Sequence, residues 1–200
     1  MKLPNFFTAL RIVMAPVFFL IYSIPLWTGF GSVPSVFILI PLFVFMEFTD
    51  FLDGYYARRL GLVSDFGKLF DPFGDVLANL TVLFAFVLSG YLPALLFLVI
   101  LYREMGIMFV RMLASRQGVA IGARKGGKTK TVLYIVAAGI SLAIESGVRL
   151  GILAQSQLAV FRWINIAFYG VAVVVSIISF IDYVVTFGAI LRQNTISEKK

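Results

Sequence analysis

Along the chain, long apolar runs alternate with short polar breaks. The runs predict helices at roughly 9–29, 34–54, 71–90, 93–115, 131–150 and 162–186. Runs of that size, at 1.5 Å per residue, cross the ~30 Å hydrocarbon core of a bilayer. The predicted fold is all-α: an integral membrane bundle of six transmembrane helices, in a single domain over 1–200. Before the first run, Asn5, Thr8 and Arg11 recur every three positions while Phe6, Phe7 and Leu10 fall on the other side. That pattern predicts a short N-terminal interfacial helix. Pro16 and Pro41 interrupt backbone hydrogen bonding within runs. Pro72 is readily accommodated if its helix starts near Phe70, where the missing N–H has no partner anyway.

The breaks differ in charge. Lys2, Arg11, Arg58, Arg59, Lys68, Arg111, Arg116, Arg124, Lys125, Lys128, Lys130, Arg192, Lys199 and Lys200 gather at one set of ends, and only Arg149 and Arg162 at the other. The positive-inside bias places both termini on the cytoplasmic side of the cell membrane. Tyr22, Trp27, Tyr91 and Trp163 mark the opposite interface as an aromatic belt would.

Composition sharpens this picture. Hydrophobic residues make up 60% of the 200 and charged residues 14%, far from a soluble domain. The formal charge of +7 is read as topology and contact with anionic lipid, not nucleic-acid binding. No cysteine is present, which excludes disulfides and thiolate metal sites; no histidine is present, so a general base must be a carboxylate, Lys or Tyr. The opening MKLPNFFTALR does not read as a cleavable signal, because the apolar run after it is too long and no small-residue cleavage site is evident.

One stretch breaks the apolar pattern. TDFLDGYYARRLGLVSDFGKLFDPFGD holds Asp50, Asp53, Asp65, Asp71 and Asp75, five of the ten acidic residues. Asp50 and Asp53 share a helix face, with the small Gly54 and Ala57 on it; Asp71 and Asp75 share another. The short connection folds the second pair towards the first. Four carboxylates near a membrane repel one another, and a hard divalent cation with oxygen ligands relieves that repulsion. Solvated loop charges explain any one of these residues, but not the arrangement.

Asp50-x-x-Asp53-Gly54-x-x-Ala57-Arg58, eight residues, then Gly67-x-x-x-Asp71-x-x-x-Asp75 resembles the signature of the CDP-alcohol phosphotransferases, with every fixed position present. The resemblance implies transfer of a substituted phosphate from a CDP-linked donor to an alcohol, with release of CMP. It implies that Asp50, Asp53, Asp71 and Asp75 ligate two divalent ions, Mg²⁺ or Mn²⁺, and that Asp75 is also the base. It places Gly54, Ala57, Arg58 and Gly67 at the CDP site, and such proteins are commonly homodimers.

A second constellation bears on the acceptor. Arg103 and Arg111 are eight apart on one face of the fourth run, with Glu104 one residue off it, and Lys128 and Lys130 follow in ARKGGKTKT. Cations converging beside a metal site suit an acceptor that carries its own phosphate. Leu3-Pro4-Asn5-x-x-Thr8-x-x-Arg11, Arg103-Glu104, Arg111 and Gly127-Lys128-Thr129-Lys130-Thr131 are most similar to the phosphatidylglycerophosphate synthase branch. That resemblance implies CDP-diacylglycerol as donor and glycerol 3-phosphate as acceptor. Gly74 and Val76 depart from the branch's usual Ala and Lys, which leaves inositol phosphate, inositol, serine or phosphatidylglycerol open as acceptors. A cation carrier is disfavoured because the carboxylates sit at helix ends rather than at the bilayer midplane. A non-catalytic scaffold is disfavoured by the intact set of four aspartates.

Overall fold

A computed structural model describes residues 3–60, 65–116 and 125–197. Within those helices, the side chains of 3–5, 50–51, 53–60, 65–66, 68–69, 115–116, 125–128, 155 and 189–197 fall outside the described residues. The elements are α1 (Leu3–Thr28), α2 (Ser32–Leu60), α3 (Asp65–Leu88), α4 (Ala94–Arg116), α5 (Lys125–Arg149) and α6 (Gln155–Ser197). The described residues contain no strand. The six predicted runs each fall on one helix.

Two boundaries differ from the sequence expectation. The N-terminal polar face is not a separate interfacial helix; it forms the first turns of the continuous α1. α3 begins at Asp65, so Pro72 lies inside it. The proline leaves one backbone carbonyl a turn earlier without its helical donor.

Among the described residues, five helices are long and apolar enough to cross a membrane: α1, α2, α3, α5 and α6. α4 misses that standard because it carries Arg103, Glu104 and Arg111, but Arg103 and Glu104 are buried inside the bundle while Tyr102, Met105 and Phe109 of the same helix face outward. The outward faces of α2 and α6 are also apolar, with Phe37, Val44, Phe45, Ile178, Ile181 and Val185 exposed. Such a surface is stable only in hydrocarbon. The protein is a multi-pass membrane protein.

α1 packs between α2 and α3, α5 packs on α6, and α4 bridges α3 and α6. α5 closes the bundle against α2 and α3. The α1–α2–α3 core is aromatic: Phe18, Tyr22 and Phe86 are fully buried, with Tyr22 edge-on to Phe86 at 5.3 Å between ring centres. Gly90 and Gly151 end α3 and α5 with positive φ of 72° and 70°. Tyr91 N–H and Ile152 N–H each reach back to the last turn, bonding the carbonyls of Phe86 (3.0 Å) and Gly147 (2.9 Å). Only glycine takes that left-handed cap without strain.

These two caps sit at one end of the bundle, where a polar network ties the helices together. Arg149 donates from Nε to Glu145 Oε1 (2.8 Å), from Nη1 to Ser35 Oγ (2.6 Å) and from Nη2 to the Tyr22 carbonyl (2.8 Å). Its guanidinium lies 4.7 Å from the Tyr22 ring centre. Tyr91 Oη donates to the other Glu145 oxygen at 2.8 Å, and Arg162 lies over the Tyr91 ring. Burial, with Glu145 beside it, pushes the Tyr91 phenol well above its ordinary range, so it remains a donor. The sequence reading saw only two cations at this end and missed Glu145, although its four-residue spacing to Arg149 was visible.

Candidate active site

The opposite end is built first from α1 and α3. Asp71 and Asp75 lie four apart on α3, facing Thr8 and Arg11 three apart on α1. Thr8 Oγ1 donates to Asp71 Oδ1 at 2.9 Å, and Arg11 Nη1 lies 2.8 Å from Asp75 Oδ1. The Arg11 side chain is 6% exposed and that of Asp75 38%. The arginine therefore grips the carboxylate from the protein side while the carboxylate keeps an open face. The close approach of α1 depends on Gly74, where an added Cβ would collide with Thr8 Cγ2. Gly67, one turn before Asp71, is buried.

Asp50, Asp53, Gly54, Ala57 and Arg58 fall on α2, and their side chains lie outside the described residues, as does that of Lys128 on α5. The expectation that the two aspartate pairs converge therefore falls outside the described residues. Glu47, one turn before Asp50, and Asn79, one turn after Asp75, line the same small recess, of about 10 Å³, room for about one water. Tyr134, Ile135 and Ala138 of α5 close its other side.

α4 and α5 carry a second group, rich in cations. Arg103 Nη1 donates to both oxygens of Glu104, at 3.0 and 3.1 Å, and its Nε reaches the Ser176 carbonyl at 3.4 Å. Lys130 Nζ pairs with Glu104 Oε1 and lies 5.3 Å from the Tyr134 ring centre. Arg103, Glu104 and Lys130 are buried, and Arg111 is within electrostatic reach of Lys130. Arg111 Nε is buried with no hydrogen-bond partner. The spacing of Arg103 and Arg111 anticipated their shared helix face. It did not anticipate that Glu104 pairs with both Arg103 and Lys130, because the long side chains bridge positions that the helix itself separates.

The pairing of Thr8 and Arg11 with the aspartates was also missed. Both residues had been read as one polar face at the membrane surface; the matching of a three-residue spacing on α1 with a four-residue spacing on α3 is the signal that could have found it.

The described donor set consists of carboxylates oriented by a hydroxyl and a guanidinium, which suits a hard cation and not a soft one. The sequence profile of the CDP-alcohol phosphatidyltransferases matches residues 1–187. The chain belongs to the CDP-alcohol phosphatidyltransferase family. A "CDP-diacylglycerol--glycerol-3-phosphate 3-phosphatidyltransferase" of Treponema pallidum is 41% identical over 200 residues, covering 96% of this chain and 92% of its own. The protein of that name from Bacillus subtilis is 36% identical over 142 residues, 68% of this chain and 74% of its own. Its namesake from Mycoplasma pneumoniae is 35% identical over 157 residues, 72% of this chain and 69% of its own. This CDP-alcohol phosphatidyltransferase is thus similar over nearly its whole length to a protein of the Treponema cell. The match includes both α3 with its aspartates and α4 with its buried arginine.

Proposed function

We propose that the protein transfers a phosphatidyl group from CDP-diacylglycerol to sn-glycerol 3-phosphate, releasing CMP and forming phosphatidylglycerophosphate. The observation that carries this reading is the pair of α3 carboxylates, Asp71 bonded by Thr8 and Asp75 paired with a buried Arg11 while keeping an open face, in a bundle that also buries a cation-rich group on α4 and α5. The name borne by the Treponema relative supports the choice of both substrates.

Asp50, Asp53, Asp71 and Asp75 are the residues that would hold two divalent ions, Mg²⁺ or Mn²⁺. When bound, these neutralise the pyrophosphate and the charge that develops on the leaving CMP. Gly54, Ala57, Arg58 and Gly67 receive the CDP moiety, where small side chains permit close approach. Arg103, Arg111, Lys128 and Lys130 hold the acceptor's phosphate. Asp75, fixed by Arg11, takes the proton from the acceptor's primary hydroxyl. That oxygen forms a bond to the lipid-bearing phosphorus as the bond from this phosphorus to the bridging pyrophosphate oxygen breaks. CMP departs with the electron pair. The donor's acyl chains remain in hydrocarbon between helices, which fits a site at the cytoplasmic face of the cell membrane. A homodimer is the proposed assembly.

The test is release of radiolabelled CMP from CDP-diacylglycerol by purified protein, with Mg²⁺ or Mn²⁺ and a panel of acceptors. Rapid release with glycerol 3-phosphate, and little with inositol, inositol phosphate, serine or phosphatidylglycerol, is expected. Preference for another acceptor, or no metal-dependent release at all, overturns the reading.

A further inference from the structure

The end of the bundle away from the α3 aspartates is short of negative charge. It consists of the turns at 29–31, 89–93 and 150–154 and the helix ends beside them. Of the ten acidic residues, Glu145 alone falls beside these turns. The nearest other, Glu104, stands ten residues, roughly 15 Å, beyond the start of α4 at Ala94, and is paired there with Arg103 and Lys130. Two cations, Arg149 and Arg162, accompany Glu145. Both Glu145 oxygens are committed, Oε1 to Arg149 Nε and Oε2 to Tyr91 Oη. Among the described residues, Arg162 has neutral partners: Nη2 donates to the Ser89 carbonyl at 3.1 Å, and the guanidinium lies 5.1 Å from the Tyr91 ring centre. Its Nε is buried without a hydrogen-bond partner. Arg162 is the eighth residue of α6, about 10 Å along it from Gln155. Around it Val160, Phe161, Trp163 and Ile164 are exposed and apolar, Trp163 by 72%. An exposed tryptophan there marks the headgroup boundary. A guanidinium without a counter-charge at that depth is expensive.

We infer that Arg162, seated between the Ser89 turn and the start of α6, binds the phosphate diester of an anionic phospholipid at the membrane face opposite the aspartates. This goes beyond the transferase reading and does not depend on it. The lipid phosphate supplies the charge that the protein lacks at this end. Arg162 is only partly buried, so part of its donor fork is open to a headgroup. Arginine suits phosphate oxygens because its donors are parallel and its charge is permanent. The Tyr91 ring and the Ser89 carbonyl hold the guanidinium from the protein side. The lipid's chains then lie along the exposed apolar face of α6, beside Trp163. A zwitterionic headgroup fits less well. Its own ammonium offsets the phosphate, and that ammonium finds no carboxylate, because Glu145 is buried and already accepts on both oxygens.

The test uses Trp163 as a local probe. The chain has two tryptophans, so Trp27→Phe leaves Trp163 alone. This full-length parent is reconstituted into phosphatidylcholine vesicles that contain a rising fraction of phosphatidylglycerol or phosphatidylcholine brominated on its acyl chains. Quenching of the Trp163 fluorescence reports which lipid occupies the adjoining position. Brominated phosphatidylglycerol is expected to reach half-quenching at a fraction about fivefold lower than brominated phosphatidylcholine, the preference that one cation confers at an anionic surface. Arg162→Gln in the parent is expected to bring that ratio to about one, and Arg162→Lys to keep most of it. Arg162→Met, which keeps the apolar stem, serves if Arg162→Gln fails to insert. Inorganic phosphate in excess, at constant ionic strength, is expected to leave the preference unchanged. Equal quenching by the two lipids in the parent overturns the inference, as does an undiminished preference in Arg162→Gln or Arg162→Met. Loss of the preference on adding inorganic phosphate overturns it too, because the ligand is then a soluble anion and not a lipid.

Discussion

At one end of the bundle, Arg149 donates from all three guanidinium nitrogens and Glu145 accepts on both oxygens. At the other end, three cations, Arg103, Arg111 and Lys130, are grouped around the single described carboxylate of Glu104. Both clusters are buried in a membrane protein, where unpaired charge is expensive. The first is closed upon itself: its partners come from α1, α2, α5 and the α3–α4 turn, and it joins those elements. The second gathers three cations with one carboxylate, and Arg111 Nε there is buried without a hydrogen-bond partner. The contrast is one of degree: two cations, Arg149 and Arg162, stand with Glu145 at the first end, and three with Glu104 in the second group. Asp75 has a buried arginine behind it and an open face in front.

The sharpest break in this comparison is Asp75→Asn. Removing the base is expected to reduce CMP release by about 10³-fold, with the protein still folded and inserted. CMP-release kinetics on purified, monodisperse variant read this directly; normal turnover removes Asp75 from the reaction. At the first end, Glu145→Gln leaves Arg149 buried without its counter-charge. A loss of about 3 kcal/mol in stability is expected, seen as a lower thermal midpoint in detergent, with turnover per folded molecule unchanged. The paired change Glu145→Leu with Arg149→Met is expected to recover most of that loss; a variant whose turnover falls in step would make the far end part of the site.

Arg11→Ala is expected to lower kcat by roughly 10- to 100-fold, a size typical of groups that orient a ligating or reacting side chain. Arg11→Lys should recover part of it, and KM for the acceptor should move little. The smallest effect expected is at Gly74. Gly74→Ala pushes a methyl into Thr8 and is expected to cost about 1–2 kcal/mol in stability by overpacking. Thr8→Ser removes the methyl it strikes and keeps the hydroxyl on Asp71, so the double variant should regain stability. No recovery would mean that the strain lies elsewhere.

Much of the fold was legible along the chain because the bilayer imposes a length on every apolar run. The six runs became α1 to α6, and the glycine–aspartate spacing of α2 and α3 marked the chemistry. The position of the first boundary was not legible: a polar face followed by an apolar run reads equally as two helices or one, and only packing against α3 decides. Thr8 and Arg11 looked like surface residues until α3 supplied their partners. Glu145 gave a local signal through Arg149, yet Tyr91, which completes the network, lies 54 positions away.

The sequence by itself determined that this chain crosses a membrane, which residue types are present for catalysis, and which family of reactions it serves. Those properties depend on composition and on spacings within one helix, which hydrogen bonding along that helix makes regular. Only the tertiary structure decided which aspartate is held by which side chain of α1, that Glu104 is shared between Arg103 and Lys130, and that Glu47 and Asn79 meet in one recess. Each of these is a contact between helices. The rotation and depth of one helix against another are set by side-chain packing summed over the whole interface, and no single stretch of sequence carries that sum.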